Sequence, residues 1–294
     1  MNKAPSYGTG SSSDRVNPLA TASGSVTDAG SGPPIAFLHG YPFNRSMWSE
    51  QIQELSSRYR VIAPDLRGFG DTSVALQFVA GADGGVPKRQ AEAYRTKTTM
   101  EEMARDVVAL MDELEIDRAI VCGLSMGGYV ALEFAHLFPS RVQALVLAGA
   151  RAQGPDETEK DSREQQARRV LVEGMRFVAD SMVPKLLAQR TLQEKPEIVS
   201  RVREMILTTK PQGAAAAQRG MAARRDYSSD LPDIGAPTLI IAGNDDRIRK
   251  PEDAEFIHRG ISNSRLELIE DAGHLMNMEQ PEAFNHAMMA FLEA

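Results

Sequence analysis

Six short runs of apolar residues recur along this chain, and most end abruptly in a cluster of glycine and polar residues. Ile35-Ala36-Phe37-Leu38 runs into His39-Gly40, and Val61-Ile62-Ala63-Pro64 runs into Asp65. Ala119-Ile120-Val121-Cys122 leads to Gly123-Leu124-Ser125-Met126-Gly127-Gly128, and Ala144-Leu145-Val146-Leu147-Ala148 follows. Thr238-Leu239-Ile240-Ile241-Ala242 precedes Gly243-Asn244-Asp245-Asp246, and Leu266-Glu267-Leu268-Ile269 precedes Asp271-Ala272-Gly273-His274. Continuous apolar runs this short read as strands covered on both faces, the pattern of a parallel sheet. Helical periodicity lies between them. Thr99-Met100-Glu101-Glu102 is a capping-box signature, followed by Met103, Val107, Leu110, Met111 and Leu114 on one face. A second helix is expected at 127–138, ending before Pro139, and a third at 281–292, opened by a proline suited to a first turn. Strand and helix in alternation define an α/β fold with a doubly wound, mostly parallel sheet.

Two stretches interrupt the alternation. Residues 74–97 contain Gly81-Ala82-Asp83-Gly84-Gly85-Val86-Pro87 and read as a long loop. Residues 151–233 contain no strand-like run but several amphipathic segments, so they are expected to form a helical insertion, a cap, between two strands. The core is then divided between 35–150 and 234–294. Residues 1–34, rich in Ser, Gly, Thr, Ala and Pro, read as a flexible or poorly patterned leader. A net charge of -7 argues against nucleic-acid phosphates as partners. No apolar run approaches the ~20 residues of a membrane span, and the first residues lack the apolar stretch of a secretion signal. The single cysteine, Cys122, excludes an internal disulfide and any multi-cysteine metal site. No metal or other cofactor is expected, and a cytoplasmic location fits this cysteine usage.

The polar clusters follow strands, and in open parallel sheets ligands bind at the carboxyl ends of strands. Loops remote in sequence therefore meet at one rim. Gly123-Leu124-Ser125-Met126-Gly127 matches G-x-S-x-G between a strand and a helix, a sharp turn that projects the serine hydroxyl. A serine nucleophile needs a base at neutral pH. Of the five histidines, His136, His258 and His286 fall in helical patterns, whereas His274 follows a strand and reaches the rim of Ser125. Asp245 and Asp246 both follow the preceding strand and compete for the role of orienting acid, with Asp246 preferred. The oxyanion donors are assigned to the N–H groups of Met126 and Tyr41, since Pro42 has none. His39, Gly40, Phe43, Trp48 and Met276 are assigned to the substrate pocket. Core packing is the competing reading for Phe43 and Trp48, and for Met276 an acyl pocket of thioethers and core packing stand equally. Gly68-Phe69-Gly70 lacks the third glycine of a dinucleotide fingerprint.

Taken together, Phe37-Leu38-His39-Gly40, Pro64-Asp65-Leu66-Arg67-Gly68-Phe69-Gly70, the Ser125 elbow, Ala242-Gly243-Asn244-Asp245-Asp246 and Gly273-His274 resemble the α/β-hydrolase superfamily in content and order. In that family the acid commonly lies three residues after the strand-ending glycine, which implies Asp246. The resemblance is strongest to bacterial carboxylesterases and, beside them, hydrolases of the 3-oxoadipate enol-lactonase kind. It implies a Ser125–His274–Asp246 serine hydrolase acting on a small-molecule carboxylic ester. A lactonase or C–C hydrolase with the same triad is the nearest alternative, and a non-catalytic binding protein on the same scaffold the more distant one. Two departures stand out. The family's two strands before the His-Gly loop are hard to find in residues 1–34, and the 74–97 loop is long.

Overall fold

The computed structural model describes residues 25–72 and 96–294. Its seven-stranded sheet has the order β1-β3-β2-β4-β5-β6-β7. The strands are β1 (Val26–Ala29), β2 (Pro34–Leu38), β3 (Arg60–Pro64), β4 (Ala119–Leu124), β5 (Val142–Ala148), β6 (Thr238–Gly243) and β7 (Ser264–Ile269). Every pairing is parallel except that of β1 with β3. All six apolar runs are strands of this sheet. β4 and β6 are buried along their whole length, as runs covered on both faces must be. β7 is an edge strand, and Leu268 on it is 45% exposed.

The reading of 1–34 as a leader is corrected at its end. β1 pairs Val26 with Pro64 and Ala29 with Val61, supplying the edge strand that the sequence does not advertise. It is four residues long, half exposed, and includes Thr27 and Asp28, so it carries no apolar run to detect. Residues 1–24 lie outside the described residues, as does nearly all of the expected 74–97 loop.

Helices flank the sheet: α1 (Ser49–Leu55), α2 (Met100–Glu113) and α3 (Met126–Leu137), and after the insertion α8 (Pro251–Gly260), α9 (Met276–Glu279) and α10 (Pro281–Leu292). The capping box is present: Glu102 N–H donates to Thr99 Oγ1 at 3.1 Å, and Thr99 N–H donates to Glu102 Oε2 at 2.7 Å. Met103, Val107, Leu110 and Met111 of α2 are buried, each contributing ~1.5–3 kcal/mol. Four helices lie between β5 and β6: α4 (Glu157–Leu186), α5 (Gln189–Glu194), α6 (Pro196–Thr208) and α7 (Pro211–Ala222). α4 breaks at Gly174, where φ is 74°.

This topology fixes where a site can form. From β2 the chain moves outward to β3, then returns to β4 and continues the other way. The strand order therefore reverses between β2 and β4, and a crevice opens beyond their carboxyl ends. The two loops at that crevice are His39-Gly40-Tyr41 and Gly123-Leu124-Ser125.

Candidate active site

Ser125 sits between β4 and α3 with φ 57° and ψ -111°, a left-handed conformation unusual for a residue with a side chain. The turn that imposes it tolerates only glycine on either side. A Cβ on Gly123 would stand 2.1 Å from Gly127 O, and one on Gly127 would stand 2.0 Å from Leu38 O. Ser125 N–H donates to Ala148 O at 2.8 Å, which ties the elbow to the end of β5. The side chain is thus presented at the N-terminus of α3, where developing negative charge is favoured.

Two further loops are joined at the same rim. Asp245 N–H donates to Ala272 O at 2.9 Å, linking the loop after β6 to the loop after β7. His274 Nδ1 lies 2.7 Å from Asp246 Oδ2, and both side chains are buried. The other carboxylate oxygen of Asp246 accepts the N–H groups of Ile248 and Arg249 at 2.7 and 2.8 Å. With Asp246 acting as acceptor, the imidazole carries its proton on Nδ1 and leaves Nε2 free to accept one. Asp245 is exposed, and the carboxylate paired with His274 is that of Asp246. Ser125 and His274 line one cavity of about 520 Å³, with Tyr41, Tyr129, Arg163 and Arg249 among the other lining residues.

Gly40 packs on the elbow: a Cβ there would lie 3.3 Å from Leu124 O and 3.5 Å from the Ser125 Cβ. The N–H groups of Tyr41 and Met126, the expected oxyanion donors, have no acceptor among the described residues.

The pocket assignments are corrected in several places. His39 is fully buried; its Nδ1 lies 2.9 Å from Gly40 O, and its Nε2 accepts Leu66 N–H at 2.9 Å. Burial holds this imidazole below its ordinary value, so it is a neutral brace between two loops. Trp48 stacks 4.7 Å from Phe37 and 6.0 Å from Phe284 in the core. Phe43 and Met276 are likewise buried, and neither they, His39, Gly40 nor Trp48 lines the cavity. An apolar residue beside a site motif was open to either reading, and packing prevails.

Sequence reasoning missed four contributors. Gly149, at φ 52° after β5, makes room for the imidazole: a Cβ there would stand 3.1 Å from His274 Cε1. Glu279 is fully buried and accepts Gly273 N–H at 2.9 Å and Ala188 N–H at 2.8 Å, joining the histidine loop to the end of α4. Burial pushes its carboxyl up despite these donors. Arg163 and Arg249 reach the cavity from the insertion and from the loop after β6. Only Gly149, directly after a strand, carried a local signal. Among the described residues, no group of three or more His, Cys, Asp and Glu side chains is placed to hold a metal ion.

The fold and this rim define a hydrolase scaffold, and comparison with known proteins gives its family. The pattern of the alpha/beta hydrolase fold matches residues 33–281, and the chain belongs to that family. It is 30% identical to 3-oxoadipate enol-lactonase 2 of Acinetobacter baylyi, over 89% of each chain. It is 31% identical to 2-hydroxy-6-oxo-2,4-heptadienoate hydrolase of Pseudomonas putida, over 91% of each. A thermophilic esterase from Thermogutta terrifontis superposes with a TM-score of 0.82 at 38% identity, covering 93% of this chain and 96% of the esterase. The relatives thus include an esterase, an enol-lactonase and a hydrolase of a dienoate. No helix among the described residues is long and apolar enough to cross a membrane.

Proposed function

We propose that this chain is a serine carboxylester hydrolase working through an acyl-enzyme. The observation that carries the reading is the strained Ser125 opening into the same cavity as a histidine whose Nδ1 is held by a buried carboxylate. His274 Nε2 takes the proton from Ser125 Oγ as the oxygen attacks the ester carbonyl carbon. The carbonyl electrons move onto oxygen, which the Tyr41 and Met126 N–H groups stabilise. As the carbonyl re-forms, the bond to the alcohol breaks, and the imidazolium returns the proton to the leaving alkoxide. Water, deprotonated by the same imidazole, then attacks the acyl-enzyme and releases the acid and Ser125. Asp246 holds the tautomer and stabilises the transient imidazolium.

In this reading residues 151–233 form the cap that closes the cavity over a core made of 35–150 and 234–294. The 38% identity to an esterase supports the choice of substrate bond. Hydrolysis of p-nitrophenyl butyrate by the wild type, set against Ser125→Ala, tests it: activity is expected in the first and background in the second, and equal rates would refute it. The 30% identity to an enol-lactonase favours lactone opening as the second reading, in which the same steps act on a cyclic ester. A higher kcat/KM on an enol-lactone than on any linear ester would select it.

A further inference from the structure

We infer that the cavity beside Ser125 is built for a substrate carrying a free carboxylate in addition to its ester. The inference rests on the ester-hydrolase reading for the reaction and adds a second recognised group. It comes from a surplus of hydrogen-bond donors in the cavity wall. Tyr41 is 6% exposed and lines the cavity, yet its hydroxyl has no hydrogen-bond partner among the described residues. Its polar neighbour Gln218 accepts from Arg163 at 3.0 Å and donates to Gln166 at 3.2 Å, and makes no bond to the Tyr41 hydroxyl. The Tyr129 hydroxyl oxygen accepts Arg249 Nε and Nη2 at 2.9 and 2.7 Å. Those bonds occupy its lone pairs and leave its own O–H to donate, with no acceptor among the described residues. Buried hydroxyls are normally paired, so two without acceptors on residues that line one cavity point to a ligand that supplies them.

The charges agree with the donors. Arg163 and Arg249 line the cavity, while Arg224 is fully buried behind them with its guanidinium 4.4 Å from the Tyr129 ring centre. All three converge on one carboxylate. Glu159 Oε1 lies 2.8 Å from Arg163, 3.1 Å from Arg224 and 3.8 Å from Arg249, and Oε2 lies 3.5 Å from Arg151. Burial opposes ionisation of Glu159, but these guanidiniums hold it down at about 2. The other carboxylates nearby are committed elsewhere. Asp246 holds His274, Asp253 lies 3.9 Å from Arg151, and Asp156 caps α4 at the exposed mouth by accepting Glu159 N–H at 2.7 Å. A substrate carboxylate brings the missing acceptors and a balancing charge together, in the planar form that guanidinium recognises. A purely alkyl ester leaves the donors buried and unpaired, and that penalty is how such sites discriminate.

The test compares monomethyl glutarate with the methyl ester of glutaramic acid, which has the same shape and no charge, by following methanol release from the wild type. Binding is read separately by calorimetry on Ser125→Ala and by the thermal shift that glutarate or glutaramide gives the wild type. The expected result is a kcat/KM about 10–100-fold higher for the half-ester, carried mainly by KM. That ratio should collapse in Arg163→Gln. Equal turnover of the two esters, or faster turnover of the amide, overturns the carboxylate inference and leaves the ester hydrolase standing. Selective binding of the half-ester and of glutarate without methanol release upholds the carboxylate site and overturns the ester-hydrolase reading. Neither binding nor release overturns both.

Discussion

Asp246→Asn puts the sharpest demand on the arrangement proposed for the site. The wild-type carboxylate is fully occupied: Oδ2 faces His274 Nδ1 at 2.7 Å, and Oδ1 accepts two backbone N–H groups at 2.7 and 2.8 Å. An asparagine has one acceptor oxygen and one donor group to put in these places. If its NH2 faced Ile248 and Arg249, three donors would crowd together, so its oxygen stays with the backbone and its NH2 turns to the histidine. The imidazole must then accept on Nδ1 and carry its proton on Nε2, which leaves no base toward Ser125. Loss of the correct tautomer in a serine triad costs ~10⁴ in kcat, about 5 kcal/mol of transition-state stabilisation. The assay is kcat on p-nitrophenyl butyrate across pH, with a melting curve to confirm that the fold survives. Asp245→Asn is the matched control, because Asp245 is exposed and should change kcat by less than about threefold. A loss below tenfold in Asp246→Asn, or equal losses in both variants, would refute the assignment of Asp246 as the orienting acid.

Three other perturbations test the surroundings of this pair. Gly149→Ala places a methyl 3.1 Å from His274 Cε1 on a backbone at φ 52°, so kcat should fall, with a stability loss of ~1–2 kcal/mol; an unchanged kcat would show that the imidazole does not need that space. Glu279→Ala strands the N–H groups of Gly273 and Ala188 and should cost ~2–5 kcal/mol in urea melts, whereas Glu279→Gln, which keeps an acceptor, should recover part of the loss. Glu159 has a folded value of about 2 against an ordinary 4.5, so its contribution is complete above 4.5 and is lost as pH falls toward about 2. Wild-type stability should therefore drop more steeply than that of Glu159→Gln across this window, and parallel acid limbs in the two melts would count against the arginine cluster as its cause.

What the sequence made legible depends on how local each feature is. The buried strands announce themselves because a run such as Thr238-Leu239-Ile240-Ile241-Ala242 has no polar face to alternate with. Ser125, His274 and Asp246 were legible because each sits within a few residues of a strand end, where the topology of a parallel sheet collects loops. β1 was not, because an edge strand half open to solvent needs no apolar run. His39 misled for a related reason. Its place after β2 suits a ligand contact, but its two nitrogens are consumed by Gly40 O and Leu66 N–H, partners that become visible only once β2 and β3 lie side by side.

The cavity wall was illegible for a stronger reason. Glu159 and Arg163 lie on α4, Arg224 just beyond α7, and Tyr129 and Arg249 in the core, so their convergence exists only when the insertion packs on the sheet. On α4 alone, Glu159 and Arg163 are four residues apart and read as an ordinary surface pair worth a few tenths of a kcal/mol. In the folded chain the same pair is roughly four-fifths buried and faces three more guanidiniums, where screening by water is weak and an unmatched charge is costly. Identical residues thus change from a pair on one helix to part of a cavity wall through a contact between distant segments. On the proposed function, the elbow and its histidine carry the reaction, while substrate choice resides in the interface between insertion and core. Exchanging residues 151–233 between relatives should accordingly move substrate preference with the insertion and leave the dependence on Ser125 intact.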